Sequence, residues 1–217
     1  MLGAWGSVAS FGAAVPEPQP APVAPPIVAP RDAAYPGVLQ LTFDATDVSH
    51  RLFTVHETIP VQTVGDLVLL YPRWLPGTHA PEGTIAMFSG LTVRAAGVPI
   101  AWHRDTVDVF AFHVAVPKLT TQLELDFQYL SPVKDDVGPL TVTQDLLALD
   151  WNTVVLYPAG YFARRIAIQP TIRLLPDCKL ATALEVESVD TTGTRFRTTS
   201  VEALVDSPLQ AGRYFKR

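Results

Sequence analysis

The sequence predicts an all-β fold, a large antiparallel β-sandwich with a disordered Pro-rich N-terminal tail, and three observations carry that expectation. Beyond residue 37 apolar and polar residues alternate at period two in stretch after stretch, as strands with one wet face require. Glycine, proline and short polar clusters punctuate those stretches, and helical period is scarce. Seven of the twenty prolines fall between Pro16 and Pro30, where neither helix nor central strand can form.

From the N-terminus, residues 2–15 are apolar and small and run through Ala13 and Ala14 into the prolines, as a signal peptide runs into its cleavage site. The first basic residue is Arg31, so the positive start of a secretory signal is absent, and the apolar run is too short and Gly-rich to span a bilayer. Export to the periplasm or outside is the expectation, with a mis-assigned start or an ordinary disordered tail, and a cytoplasmic location, as the rival. Residues 16–36 read as a semi-rigid polyproline-like spacer. Residues 1–36 are thus one unit and 37–217 the sandwich, which is long enough to bury a substantial core.

Strands are expected at 38–44, 51–61 and 67–71, the last a continuous apolar run. Residues 91–95 and 98–103 flank Ala96-Gly97, a connection that suits a hairpin. Residues 106–116 place Phe110, Phe112, Val114 and Val116 on one face. The clearest strand is 121–131, with Leu123, Leu125, Phe127 and Tyr129 facing one way and Gln122, Glu124, Asp126 and Gln128 the other. Further strands are expected at 152–157, 166–174, 181–187 and 194–199. Short helical turns fit 82–88 and 201–205.

With 48% hydrophobic and 17% charged residues and a formal net charge of -5, the chain has no basic block to attract nucleic acid or an anionic membrane. The single cysteine, Cys178, excludes an internal disulfide and reads as a structural thiol. His56-Glu57 begins like the zinc motif H-E-x-x-H, but Pro60 occupies the place of the second histidine and forbids the helix. His50, His79, His103 and His113 are dispersed. The acids Asp105 with Asp108, or Asp135 with Asp136, have the pairing glycoside hydrolysis needs only if folded face to face; Asp135-Asp136 sits in the loop-like stretch 131–139, where solvated turn residues explain it better. No nucleophile elbow, dinucleotide turn or phosphate loop occurs, so no catalytic or metal-binding residue is assigned on this chain.

Three loops gather aromatic, proline and glycine residues: 71–83, 149–165 and 207–217. Rigid loops of this kind either plug the ends of a sandwich or form a contact surface. At these loops the sequence resembles the N-terminal domain of the glycyl aminopeptidase family of zinc metallopeptidases, peptidase M family 61. The resemblance rests on Trp74-Leu75-Pro76-Gly77-Thr78-His79, on Gly90-Leu91 leading through Pro99 and Trp102 to Arg104-Asp105, and on Asp108-Val109-Phe110-Ala111-Phe112. It continues in Trp151-Asn152 with Leu156-Tyr157-Pro158-Ala159-Gly160 and in Leu204-Val205-Asp206-Ser207-Pro208 with Gly212-Arg213-Tyr214.

The resemblance implies a β domain that precedes a thermolysin-like catalytic domain, with the hand-over expected near Arg217. Zinc is expected in that catalytic domain and no cofactor on this chain. The implied partners are the catalytic domain and, through it, a peptide substrate. By analogy with aminopeptidases of similar layout, Asp150 and Asn152 are candidates to receive the substrate's α-ammonium, with Trp151 walling a small pocket. The same residues also read as a core tryptophan and a turn cap. The alternative function is a stand-alone exported module that binds carbohydrate or peptide.

Overall fold

The computed structural model describes residues 26–74, 80–81, 85–131 and 141–214. In chain order its strands are β1 (Val38–Asp44), β2 (Leu52–Pro60), β3 (Gly65–Leu70), β4 (Phe88–Ala95), β5 (Val98–Pro99) and β6 (Trp102–Arg104). There follow β7 (Ala111–Val116), β8 (Gln122–Leu130), β9 (Thr141–Val142), β10 (Leu146–Leu149), β11 (Tyr157–Pro158) and β12 (Ala167–Arg173). The last are β13 (Lys179–Thr182), β14 (Val186–Asp190), β15 (Gly193–Phe196), β16 (Thr199–Ser200) and β17 (Leu209–Gly212), with a short helix, α1 (Val201–Val205), before β17. Ser200 caps that helix by accepting from the Ala203 N–H at 3.1 Å.

A large sheet runs β14-β15-β12-β1-β2-β8-β4-β5, with β16 also on β12. Two four-stranded sheets, β13-β17-β10-β9 and β11-β3-β7-β6, complete the described fold. The fold is all-β, as expected, and the named strands pair antiparallel except that β1 runs parallel to β12 in unbroken register from Val38↔Ala167 to Asp44↔Arg173. Pro170 sits inside this β12 without breaking it. On the far side β16 pairs only with Ala167 and Ile168 and β15 only with Thr171 and Ile172, so the proline falls in the gap where no ladder needs its missing N–H.

The alternation read from β8 is realised: Leu123, Leu125, Phe127 and Tyr129 are all at most 1% exposed. They face the core beside Ile59, Glu57, Val55 and Phe53 of β2. Rings then join the layers. Phe88 lies 4.7 Å from Phe127 and 5.3 Å from Phe112, and Trp151 packs edge-on to Phe43 and Phe196. The Ala96-Gly97 hairpin is confirmed, both residues having positive φ (49° and 76°), which matches the twist of the strands it joins. Gly37, at φ 120°, lets β1 start against Pro60, since a Cβ there would stand 2.8 Å from the proline's own. Of the helical turns, 201–205 forms α1, while Ile85–Met87 is a single 3-10 turn and 82–84 lie outside the described residues.

The structure places the beginning of the packed domain before the 36/37 boundary drawn from proline density. Arg31 bridges Tyr161, its N–H donating to the Gly160 carbonyl at 3.2 Å, and its guanidinium lies over the Tyr161 ring and donates to the phenol oxygen. Asp32 pairs with Arg165 at 2.5 Å and Arg164 at 3.5 Å, and these cations hold its carboxyl below the usual range. Tyr35 is buried, its N–H donates to the Arg165 carbonyl at 2.8 Å, and its hydroxyl donates to the Pro60 carbonyl. Burial pushes that phenol up to about 12. A polyproline segment lacks its own hydrogen bonds, so it is free to spend those of Arg31 and Tyr35 on the sandwich edge. Composition registers the prolines but not the partner about 130 residues along the chain.

Deleting residues through Pro30 is therefore expected to leave the thermal midpoint in place, whereas deleting through Pro36 removes the buried Tyr35 ring. The second deletion should cost about 2 kcal/mol, or roughly 4–8 °C in a domain of this size. Equal midpoints for the two truncations by calorimetry would show that the Arg31–Pro36 segment does not stabilise the fold.

Candidate functional site

Two of the aromatic loops meet at one end of the β11-β3-β7-β6 sheet. Tyr71, which follows β3, is buried against Phe88 and donates its hydroxyl to the Thr153 carbonyl at 3.3 Å, joining the first loop to the second. Arg73 reaches Asp108 at 2.6 Å, and Trp74 stands 59% exposed beside it. Residues 75–79 of the first loop, the acids Asp135 and Asp136, and residues 215–217 of the third loop lie outside the described residues. A cavity of about 310 Å³ opens among Val28, Tyr71, Arg73, Trp74, Asp108 and Tyr157.

The loop between β6 and β7 shows what Asp105 and Asp108 do. Asp105 Oδ1 accepts from the backbone N–H of Val107 and of Asp108, both at 2.8 Å, and its Oδ2 takes His113 Nε2 at 2.9 Å. The Asp108 N–H, with His113 next, holds the Asp105 carboxyl down to about 2. Asp108 Oδ1 in turn accepts from the Phe110 N–H at 3.1 Å. These acids shape a turn rather than face each other across a substrate. The other ring nitrogen of His113, Nδ1, meets Asp66 at 2.9 Å, and the ring stacks on His103 with centroids 4.8 Å apart. Burial works against charge on His113, but the two carboxylates outweigh it and raise the pKa above the ordinary histidine value. Asp66 and His113 lie on one wall of a second cavity of about 420 Å³, with Arg31, Tyr35 and Tyr161 on the other walls.

The second loop carries the candidates read from the sequence. After β10, Asp150 opens a 3-10 turn, Trp151–Thr153, and its carbonyl accepts from the Thr153 N–H at 3.1 Å and the Thr153 hydroxyl at 2.7 Å. Its carboxylate makes no capping bond to the turn, stands half-buried, and has its pKa raised by burial. Trp151 is fully buried between Phe43 and Phe196, and Asn152 is 2% exposed. Trp151 is therefore core in this chain and lines neither of the two cavities, while Asn152 is buried beside it. Of the three neighbours, Asp150 alone has a side chain in reach of solvent.

Glu57 is the residue the sequence did not single out for what it does. Read as a fragment of a failed zinc motif, it sits on the inward face of β2 with no exposed surface, between Leu41 of β1 and Leu125 of β8. Its Oε2 accepts from the Leu156 N–H at 3.0 Å, and its Oε1 has no protein partner. Burial raises its pKa well above the usual carboxylate range, the Leu156 bond offsetting only part of that effect. The signal was present, because Val55, Glu57 and Ile59 share one face of a strand whose other face holds His56 and Thr58. His56 itself pairs with Asp126 at 2.9 Å, which also accepts from Arg94. Among the described residues no group of three histidine, cysteine or acidic side chains is arranged to hold a metal ion. Cys178 is half-buried, and burial raises its thiol. No described helix is long and apolar enough to cross a membrane.

The fold of this chain is also found in solved structures of peptidases. An aminopeptidase N family protein from Idiomarina loihiensis superposes with a TM-score of 0.68 at 18% identity, over 81% of this chain and 29% of that one. An M1 zinc metallopeptidase mutant from Deinococcus radiodurans gives 0.50 at 11% identity, over 83% and 42%. The chain thus spans less than half the length of either. The family profile described as the peptidase M61 N-terminal domain matches residues 40–213, and the chain belongs to that family. No curated protein matches the sequence.

The raised pKa of Glu57 has a definite sign in stability. The folded state holds this proton to higher pH than the unfolded chain, so the stability of the wild type is greatest below the unfolded value near 4.5 and falls as pH rises toward the folded one. Glu57→Gln carries no such penalty. Its stability relative to wild type is expected to grow with pH above about 4.5, by no more than roughly 1.4 kcal/mol per unit. Urea unfolding of both proteins between pH 4 and 8 checks this, and a difference that does not change with pH would mean that Glu57 titrates alike in both states.

Proposed function

We propose that the chain is the non-catalytic N-terminal β domain of a zinc metallo-aminopeptidase, docking on a catalytic domain and placing Asp150 to receive the amino terminus of the peptide substrate. The observation that carries this is the Asp150 carboxylate: half-buried, without a capping partner, and seated on a backbone turn fixed by Thr153 and Tyr71. A carboxylate held partly out of water gains most from an arriving ammonium, because the ion pair restores what burial withdrew. Asn152 is the weaker of the two candidates, since it is 2% exposed and its amide oxygen carries no charge to pair with an ammonium. Zinc and the hydrolytic residues belong, in this reading, to the catalytic domain.

Trp74 and Val107, 59% and 80% exposed, flank the Arg73–Asp108 pair and supply apolar surface at the end of the sheet that abuts the Asp150 turn. Membership of the peptidase M61 N-terminal domain family and the likeness in fold to an aminopeptidase N family protein and an M1 zinc metallopeptidase support a catalytic domain as the occupant of that surface.

With the domain joined to its catalytic partner, Asp150→Ala removes a charge-assisted hydrogen bond for which about 1.5–3 kcal/mol is typical. The kcat/KM for peptides with a free amino terminus should fall roughly ten- to a hundredfold, and that for N-acetylated peptides should change little. Equal losses on both substrate classes, or none on either, would remove Asp150 from the substrate's path.

A further inference from the structure

The 0% exposed carboxyl of Glu57 does no work for the large sheet that carries it. Its neighbours in register are Leu41 and Leu125, and its one hydrogen bond leaves the sheet for the Leu156 N–H, 99 residues away. An apolar side chain of like volume would fill this position at lower cost, because a buried polar group repays its desolvation only through its partners. The partner it has lies on the segment between the Trp151–Thr153 turn and β11. The side-chain atoms among the described residues that are buried without a hydrogen-bond partner are Glu57 Oε1, Trp151 Nε1 and Asn152 Nδ2. Among the described residues, buried side-chain polarity without a partner thus falls on Glu57 and on the segment it holds, and such groups mark places where something other than stability sets the residue.

We infer that Glu57 is a positioning residue for the Asp150 turn, fixing the 150–156 segment through the Leu156 N–H so that the Asp150 carboxylate is presented at a set depth. This rests on the reading of Asp150 as the group that meets the substrate's amino terminus. The backbone from Asp150 to Leu156 is then clamped at two points. Tyr71 holds the Thr153 carbonyl from the β3 side, and Glu57 holds the Leu156 N–H from the β2 side. Residues 153–156 between the clamps are fully buried, so the segment has little freedom except at its Asp150 end. Loss of the second clamp frees the Leu156 end, so that the segment can pivot about the Thr153 carbonyl and shift Asp150, while leaving the sheet ladders of β1, β2 and β8 intact.

The test uses this chain and two variants. Glu57→Met fills the same space without either oxygen, and Glu57→Gln keeps an oxygen to accept from Leu156. In the Met variant the Leu156 amide is expected to exchange at least about tenfold faster while β2 and β8 amides keep their protection. The Asp150 carboxyl, followed by carbon NMR, should titrate closer to the ordinary aspartate range. Both readouts should return to wild-type behaviour in the Gln variant. Should the Met variant not fold, Glu57→Gln reads the clamp directly, through a coupling across the hydrogen bond between the Leu156 amide nitrogen and the carbonyl carbon of the new side-chain amide; absence of that coupling would overturn the inference. Unchanged Leu156 exchange and Asp150 titration in Glu57→Met would overturn it too, as would loss of protection shared equally by the whole sheet, which marks a purely structural role. These readouts report loop geometry without any peptide, so the clamp can fail while the Asp150 kinetics stand, and the reverse.

Discussion

The pairing of β2 with β8, nine residues in unbroken register from Leu52↔Leu130 to Pro60↔Gln122, is the constraint on which the rest of the molecule depends. Side chains on a strand alternate strictly, so this ladder decides at one stroke that Phe53, Val55, Glu57 and Ile59 lie inside with Tyr129, Phe127, Leu125 and Leu123. A slip of one residue would carry Thr54, His56 and Thr58 into the core and turn the aromatic rings to water. Nothing local holds Glu57 inside; it is carried there by the apolar residues two positions to either side. The cost of that burial is what the Leu156 N–H partly offsets, and through it the large sheet gains a fixed point on the loop that leads to β11.

The inward face of this ladder then dictates where the smaller sheets sit. Phe88 of β4 meets both Phe127 of β8 and Phe112 of β7, and Phe43 of β1 meets Trp151 of the turn after β10, so rings of the large sheet dock both the β7 layer and that turn. Trp151 is spent entirely on that docking. A side chain with no exposed surface cannot also wall a pocket, and for this reason the turn it starts offers solvent Asp150 and little else. The packing of the core thus leaves one of the three candidate side chains, Asp150, within reach of solvent.

Local pattern made much of this legible before any coordinates. The period-two runs of β1, β2 and β8 and the Ala96-Gly97 hairpin are properties of short windows, and short windows are what periodicity reads. What escaped depends on distance along the chain. The parallel pairing of β1 with β12 joins residues about 130 apart, and no feature of Val38–Asp44 distinguishes a parallel neighbour from an antiparallel one. The docking of Arg31 and Tyr35 on residues 160–165 has the same cause, with proline density pointing the other way. Asp66, His113 and Asp105 form a chain of contacts that spacing could not show, because the β3–β7 ladder sets Asp66 diagonally across from His113 and the β6–β7 loop brings Asp105 to the other ring nitrogen. In the candidate loop the three residues are adjacent in sequence, but burial, which separates Asp150 from Trp151 and Asn152, is a property of the whole core.

Three carboxyls show how one fold sets one functional group to three uses. Asp105 is ringed by two backbone N–H groups and a histidine, so its charge is fully engaged and its pKa lies low; it is a staple for the 105–108 turn. Glu57 has a single N–H and apolar walls, so the neutral acid is favoured and it serves as a buried tether. Asp150 lies between these limits, partly withdrawn from water but given no partner by its own turn. A carboxylate that is fully satisfied has nothing to offer a ligand, and one that is fully buried cannot be reached. The intermediate case is the one that binding chemistry can use, and the structure supplies it at the mouth of a loop whose backbone is held from two sides.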